Sequence, residues 1–226
     1  MNNIMLDLET LGKGSNAVII AIGAVQFDQT GLGQTFYTAV DPQSCVDIGM
    51  KVDVSTVMWW MGQNQTAREA FMGAGTPIVT ALRSFSDYVK DCAGDRAEVW
   101  GNDSTFDNTI LGNAYIAAGV VQPWPYWGNR CYRTIKNLYP HVPFDFGRVG
   151  TAHNALDDAV TQATHASGIL AHIEEARVSH GRYETSRRMN PMQWADAWKL
   201  HITTGKPFDE IVDDMRPFMF PNKEQG

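Results

Sequence analysis

Five acidic residues and one histidine are the candidates for chemistry in this sequence, and two of the acids are nearly adjacent. Asp7 and Glu9 stand in Leu6-Asp7-Leu8-Glu9, and side chains alternate along a strand, so both carboxylates project from the same face. Two carboxylates on one face repel each other unless they are solvated or share a cation. Mg²⁺ or Mn²⁺ would remove this repulsion, because these hard ions take oxygen ligands. Taken alone, the pair is equally typical of a solvated edge strand.

A third acid, Asp107, follows a predicted strand at Glu98–Gly101 and opens the next predicted helix. Ligands of α/β sheets gather at the carboxyl ends of the strands. We therefore expect Asp107 to face a cleft above the strand ends, with Phe106 anchored in the core. The helix dipole alone also favours an acid at this position, so helix stabilisation is the alternative role.

The densest group of polar residues is His153-Asn154-Ala155-Leu156-Asp157-Asp158, at the start of another predicted helix. If Leu156 faces the core, the first helical turn presents His153, Asp157 and Asp158 away from it. Ordinary helix capping explains an isolated pair of this kind equally well. The three groups of residues all lie at the ends of elements that should meet on one side of a sheet. Four acids and one histidine together have the composition of a two-metal phosphodiester site.

The elements that must position these residues begin with three strands. Ile4–Glu9 and the Val- and Ile-rich stretch 17–27 are separated by a glycine-rich turn, and Thr35–Val40 is predicted as the third strand. These three strands form an antiparallel meander. The strand at Glu98–Gly101 then returns to the sheet. This order predicts an α/β protein with a mixed sheet flanked by helices.

Helices are predicted from apolar periodicity and from capping residues. The segment beyond Glu174 changes in composition and is predicted to form a helical appendage on the core, which divides the chain into residues 1–173 and 174–226. The predicted helices are 57–61, a short one at 66–71, 78–92, 106–118, 133–139, 154–173 and 191–200, followed by a tail broken by Pro207, Pro217 and Pro221.

Composition limits the class of protein. The chain has 226 residues, 44% of them hydrophobic, and a net charge of -7, so it can bury a core but has no general basic surface for nucleic acid. Cys45, Cys92 and Cys131 are odd in number and lack zinc-site spacing, which predicts a reducing, cytoplasmic location. The sequence shows no secretory signal, and its longest apolar run is too short to cross a membrane.

The acidic motifs resemble those of the DEDD exonuclease superfamily, which has the ribonuclease H-like fold of polymerase proofreading domains and of RNase T. The match is to the subtype with histidine in the third motif. Leu-Asp7-Leu-Glu9-Thr, Thr-Phe-Asp107-Asn-Thr and His153-Asn-Ala-Leu-Asp-Asp158 correspond to its three motifs. The third motif's spacing selects Asp158 over Asp157, a choice that helix geometry leaves open. Further segments resemble a subgroup of phages and prophages, related to phage exonuclease A and to bacterial exoribonuclease-like proteins.

The resemblance implies a 3′-to-5′ exonuclease that releases 5′-mononucleotides from the 3′ end of single-stranded DNA or RNA. It implies two Mg²⁺ or Mn²⁺ ions held by Asp7, Glu9, Asp107 and Asp158, with His153 as the general base. Residues implied to contact the terminal nucleotide are Thr10, Leu11, Phe106 and Asn154. A phage-encoded protein would act in the host cytoplasm, and a homodimer is compatible with the family.

Three aromatic groups have alternative roles. Trp124, Tyr126 and Trp127 lie between prolines and form either a rim that stacks unpaired bases or an interface over the core. For Trp59 and Trp60 we expect a buried contact between helix and sheet. Arg130 and Arg133 are candidates for holding phosphates.

Two rival functions remain open. The first is a catalytically silent nucleic-acid- or nucleotide-binding protein of the same fold, which should lack one of the five site residues. The second is a partner-binding phage protein whose functional part is the tail. Because all five residues are present, the sequence favours the enzyme.

Overall fold

The computed structural model describes residues 1–63, 65, 68, 73–144, 147–187, 189 and 191–219. The chain forms two compact units, Met1–Ala171 and His172–Gly226. The short helix predicted at 66–71 lies, except for Arg68, outside the described residues.

A five-stranded mixed sheet forms the centre of the first unit, as predicted. Its strand order is β3-β2-β1-β4-β5. The first three strands pair antiparallel, whereas β4 pairs parallel with β1 and β5 pairs parallel with β4. The strands are β1 (Asn3–Thr10), β2 (Ile19–Asp28), β3 (Gly31–Ala39), β4 (Glu98–Gly101) and β5 (Asn129–Cys131). The three-residue β5 was not predicted, because a strand this short shows no alternating pattern.

Eight α-helices are described. The first unit contains α1 to α5 and the start of α6, and α7 and α8 belong to the second unit. The helices are α1 (Pro42–Asp47), α2 (Val54–Met61), α3 (Ile78–Ala93), α4 (Asp107–Ala118), α5 (Tyr132–Leu138), α6 (Ala155–Arg187), α7 (Pro191–Thr204) and α8 (Phe208–Met219).

Helices cover both faces of the sheet. Ile4, Leu6 and Leu8 of β1 join the larger hydrophobic cluster, which includes buried residues of α3 and α4. Met5 belongs to a second cluster, which includes Ala159, Ala163 and Ala166 of α6. Because residues alternate along β1, Asp7 and Glu9 continue the face of Met5. The two acids therefore point to the side of the sheet that α6 covers.

A glycine lets α6 start close to the sheet. Gly23 of β2 pairs with Asp7 of β1, and a Cβ at Gly23 would lie 2.2 Å from the backbone carbonyl carbon of Ala155. The absence of a side chain at Gly23 is what allows the first turn of α6 to approach the strand. This contact brings the His153–Asp158 segment over the carboxylates of β1.

Two helix predictions were wrong near the C-terminus. The helix predicted to end at residue 173 continues as α6 to Arg187, and α8 occupies the tail that was predicted to be broken by prolines. The apolar periodicity stops near residue 173, but Glu174, Glu175 and Ala176 are good helix formers and continue the helix. Pro207 precedes α8, where a proline is tolerated, and Pro217 lies in the last turn of α8.

The second unit has a small core of its own. Met189, Ala197, Ile211 and Val212 are buried together. The ring of Trp194 stacks on Phe208 at a centroid distance of 5.2 Å. Among the described helices of both units, none combines the length and apolar character needed to cross a bilayer.

Candidate active site

The structure brings the five predicted catalytic side chains into one cavity of about 470 Å³. Asp7 and Glu9 at the end of β1, Asp107 at the start of α4, and His153 and Asp158 around the start of α6 all line it. Their elements are far apart in the sequence and meet at one edge of the sheet. Asp7 and Glu9 are only 9% exposed and Asp107 only 3%, so three carboxylates are almost removed from water.

The end of β1 is irregular at the site. The pairing of β1 with β2 shifts register between Glu9 and Thr10, and such bulges redirect side chains beside functional sites. The Asp7 carboxylate is held from α6, because Gln162 Nε2 donates a hydrogen bond to Asp7 Oδ1 at 2.8 Å. The Gln162 Oε1 atom is buried and has no hydrogen-bond partner among the described residues.

Asp107 is fixed by backbone donors. The Leu8 N–H donates to Asp107 Oδ1 at 3.2 Å, directly between the two acids of β1. Gly101, at the end of β4, allows the start of α4 to approach, since a Cβ there would lie 3.0 Å from the Cβ of Asp107. Asp107 thus connects α4 to β1 and β4, the strands that end beneath the cavity.

His153 has an unusual backbone conformation. Its φ of 64° makes it the only non-glycine residue with positive φ in the described part of the chain, and this left-handed region disfavours branched side chains. The imidazole packs edge-to-face on Trp59, with centroids 5.0 Å apart at 87°. One ligand atom each of Glu9, His153 and Asp158 lies within 4.8 Å of the others. Backbone strain of this kind is typical of functional positions.

The two neighbouring aspartates of α6 have different surroundings. Asp157 Oδ2 accepts a hydrogen bond from the Thr151 N–H at 2.7 Å, so its carboxylate holds the preceding loop. Asp158 lines the cavity and forms an ion pair with Arg148. The geometry therefore distinguishes the two acids in the same way as the motif spacing.

Burial raises the pKa values of the site carboxylates, and neighbouring carboxylates add to the shift for Asp7 and Glu9. Burial, followed by the charges of Asp107, Glu9 and Asp158, raises the pKa of Asp7 well above its usual range. Burial and the charges of Asp158 and Asp107 raise the pKa of Glu9 to about 8. Burial raises the pKa of Asp107 to about 6. This concentration of buried negative charge is unfavourable without a neutralising cation.

Comparisons with known proteins agree with this arrangement. The sequence model of the family described as the 3′-5′ exoribonuclease Rv2179c-like domain matches residues 2–170. The chain belongs to this family. The family is described as a 3′-5′ exoribonuclease domain, so the resemblance to 3′-5′ exonucleases read from the motifs is confirmed.

Two relatives illustrate the range of the Rv2179c-like family's neighbours. The exodeoxyribonuclease of Enterobacteria phage T4 is 25% identical over 123 residues, which cover 49% of this chain and 54% of the phage protein. The chain thus matches about half the length of this curated relative. The nuclease domain of 3′hExo, a DEDDh family member solved with bound rAMP, superposes with a TM-score of 0.51 at 13% identity. That superposition covers 77% of this chain and 92% of the 3′hExo domain, and it shows a shared fold.

Residues predicted to contact the terminal nucleotide are divided between several places in this Rv2179c-like chain. Thr10 and Phe106 line a second pocket of about 230 Å³, which shares Phe106 with the main cavity. Leu11 packs against the hydrophobic core. Asn154 caps α6, with its Oδ1 accepting hydrogen bonds from the N–H groups of Leu156 and Asp157. Phe106 also packs against the hydrophobic core, as expected.

The members of each predicted aromatic and basic group have different surroundings in the structure. Trp60 is buried and donates from Nε1 to the Thr10 carbonyl at 2.9 Å, as expected, whereas Trp59 is 46% exposed and lines the second pocket. Trp124 is buried in the core, while Tyr126 and Trp127 are exposed. Arg130 pairs with Glu98 at 2.6 Å and, unlike Arg133, does not line the cavity.

Several residues of the cavity were missed in the sequence. Gln162 stands four residues after Asp158 on the same helix, so the two share a face, and this spacing could have identified it. Arg148 lies in a segment without periodicity, and no sequence signal marks it. The newly identified cavity residues are Tyr132, Lys136, Phe144, Arg148, Thr161 and Gln162.

Proposed function

We propose that this chain is a divalent-metal-dependent 3′-to-5′ exonuclease that hydrolyses single-stranded RNA or DNA to 5′-mononucleotides. The observation that carries the proposal is the convergence of Asp7, Glu9, Asp107, His153 and Asp158 on one cavity. A catalytically silent relative would be expected to lose one of these groups. Family membership supports the same class of reaction.

The residues of the cavity fit divalent metal ions. Carboxylates whose pKa values are raised by burial and by neighbouring charges need a cation, and an all-oxygen donor set suits Mg²⁺ or Mn²⁺. The unpartnered Oε1 of Gln162 could accept a hydrogen bond from a water ligand of such an ion. Asp7, Glu9 and Asp158 would hold one ion, and Asp7 and Asp107 would hold a second.

Several residues of the cavity have a proposed part in the reaction. When bound, the two ions supply positive charge to the attacking and leaving oxygens of an in-line displacement. His153 accepts the proton of the attacking water at a ring nitrogen, a reaction suited to imidazole near neutral pH. Gln162 holds the Asp7 carboxylate in place. Trp59 restricts the imidazole by packing on it.

The substrate is proposed to be the 3′ end of a single strand. Thr10 and Phe106 line the pocket next to the carboxylates, where the terminal nucleotide would lie. Leu11 and Asn154 support this region from the core and from the helix cap. The net charge of -7 favours a short footprint at a strand end over long-range wrapping of nucleic acid.

Three further assignments accompany this proposal. We place the exonuclease domain at residues 1–173 and the appendage at residues 174–226. The cysteines Cys45, Cys92 and Cys131 are free thiols, and we propose a cytoplasmic location, which is the host cytoplasm if the gene is carried by a phage. A homodimer is the proposed assembly.

The test uses 5′-labelled and 3′-labelled single strands of RNA and DNA, incubated with Mg²⁺, Mn²⁺ or EDTA. We expect release of 5′-mononucleotides from the 3′ end with either metal and none with EDTA. Asp7→Asn and His153→Ala should each reduce kcat by about 10²-fold or more, whereas Asp87→Asn on the exposed face of α3 should not. Wild-type protein that releases no mononucleotide with either metal would overturn the proposal.

A further inference from the structure

Arg148 is a cation placed inside an acidic cavity. Its guanidinium Nη2 pairs with the carboxylate of Asp158, and the residue lines the cavity together with Asp7 and Glu9. The Arg148 side chain is 46% exposed and that of Asp158 only 15%. The arginine therefore reaches from the rim of the cavity to one of its proposed metal ligands.

The segment that carries Arg148 is fastened to α6 at three successive turns. The Thr151 N–H donates to Asp157, and the Val149 N–H donates to Thr161 Oγ1 at 3.1 Å. His165 Nε2 lies 3.2 Å from the Val142 carbonyl oxygen. The three helix residues are four apart, so they form one stripe along α6. Residues 151, 149 and 142 bond to helix residues 157, 161 and 165 in that order, so the segment runs antiparallel to α6.

The direction of the hydrogen bond between His165 Nε2 and the Val142 carbonyl follows from the chemistry of the two groups. A carbonyl oxygen only accepts, so His165 Nε2 carries the proton. The other ring nitrogen, Nδ1, then accepts from the Tyr132 hydroxyl at 2.8 Å. His165 is 3% exposed. A buried, fully hydrogen-bonded imidazole thus fixes one end of the segment.

Glycines fix the turn around Arg148. Gly147 and Gly150 have φ values of 66° and 63°, in the left-handed region that favours glycine. A Cβ at Gly150 would lie 2.1 Å from Asp157 Oδ2, so the backbone passes directly against the carboxylate that holds it. The position of Arg148 at the cavity is therefore built into the fold.

We propose that Arg148 binds a phosphate of the substrate, and that its ion pair with Asp158 neutralises this carboxylate in the metal-free protein. A divalent cation and a guanidinium compete for the same carboxylate. Once Asp158 is used by a cation, the guanidinium remains held at the cavity and is free to bind phosphate oxygens, which match its planar donors. This inference rests on the proposed function, since it places a nucleotide phosphate in the cavity.

Metal binding is the first test and needs no catalysis. Isothermal titration with Mn²⁺ compares wild type with Arg148→Gln, Arg148→Lys and Arg133→Gln. Arg133 lines the same cavity but pairs with Asp103 at 2.9 Å, so Arg133→Gln is a matched loss of charge. We expect Arg148→Gln to bind Mn²⁺ about three- to fivefold more tightly, the scale of a half-exposed ion pair, and Arg133→Gln to stay within about twofold.

Phosphate binding is the second test. With Mn²⁺ saturating, 5′-AMP should bind Arg148→Gln about tenfold more weakly than wild type, as expected for the loss of a charged hydrogen bond. Arg148→Lys should lie between the two, because a lysine keeps the charge without the planar donors. Adenosine, which lacks the phosphate, should bind all three proteins equally.

The outcomes separate this inference from the proposed function. If wild type releases no mononucleotides, the proposed function fails. If Arg148→Gln matches wild type in Mn²⁺ affinity or in 5′-AMP affinity, the role of Arg148 is refuted, even when the nuclease is active. Thermal unfolding in EDTA, measured on Arg148→Gln and Arg148→Lys, shows whether either variant is misfolded. Because Arg148→Lys retains the charge, a smaller effect in this variant than in Arg148→Gln is attributed to the charge.

Discussion

In metal-free protein, Glu9→Gln should raise the stability at pH 8 and leave it almost unchanged at pH 5. Burial and neighbouring carboxylates raise the folded-state pKa of Glu9 from 4.5 to about 8. Between these two pH values the folded state keeps a proton that the unfolded chain has released. The stability therefore decreases as pH rises through this window, and glutamine, which does not titrate, should abolish the contribution of Glu9.

The size of the effect follows from the shift. One pKa unit corresponds to about 1.4 kcal/mol, and most of the shift of Glu9 is expressed between pH 5 and pH 8. Wild type should lose roughly 3 kcal/mol through Glu9 over this range. Asp7 has a raised pKa for the same physical reasons, so the total loss in wild type is larger. The difference between wild type and Glu9→Gln gives the contribution of Glu9 together with its repulsion of Asp7.

Urea unfolding followed by circular dichroism, in EDTA at both pH values, measures this difference. Glu175→Gln is the matched control, because Glu175 is an exposed carboxylate on α6. Addition of Mn²⁺ should then stabilise wild type more than Glu9→Gln at pH 8, since the variant lacks one proposed ligand. The electrostatic reasoning would be contradicted if Glu9→Gln increased the free energy of unfolding equally at pH 5 and pH 8, or if it gave no increase at pH 8.

Two further substitutions test how the site is positioned. Gly23→Ala should destabilise the protein by about 1–3 kcal/mol, because its Cβ would meet the backbone of Ala155 at 2.2 Å, and a lower urea midpoint than wild type checks this. Asp158→Asn should abolish most nuclease activity, whereas Asp157→Asn should retain kcat and mainly lower stability through its bond to Thr151. Equal activity loss in both aspartate variants would show that the two carboxylates do not have separate roles.

Much of the site geometry could be predicted because it follows from simple periodicity. Alternation along β1 places Asp7 and Glu9 on one face, and the structure has both lining the same cavity. The mixed sheet follows from the order of strands and helices. Asp107 could be placed because the start of a helix after a strand lies at the edge of the sheet where ligands gather.

Other features depend on contacts between distant parts of the chain. Periodicity on α6 cannot choose between Asp157 and Asp158, since the choice depends on where the loop before the helix lies. Arg148 is placed by three hydrogen bonds from that loop to α6, none of which has a local signature. The end of α6 was placed too early because the sequence beyond residue 173 has no apolar stripe at helical spacing.

The left-handed backbone conformation of His153 lowers the stability of the protein at a position where the imidazole is needed for the proposed activity. Glycine tolerates a φ of 64° better than histidine, so His153→Gly should relieve backbone strain while removing the imidazole. This variant would lose most of its activity yet be at least as stable as wild type. Such a variant would bind a nucleic-acid strand without cleaving it quickly, which suits structural work on the complex. Selection for thermal stability alone would tend to remove the histidine.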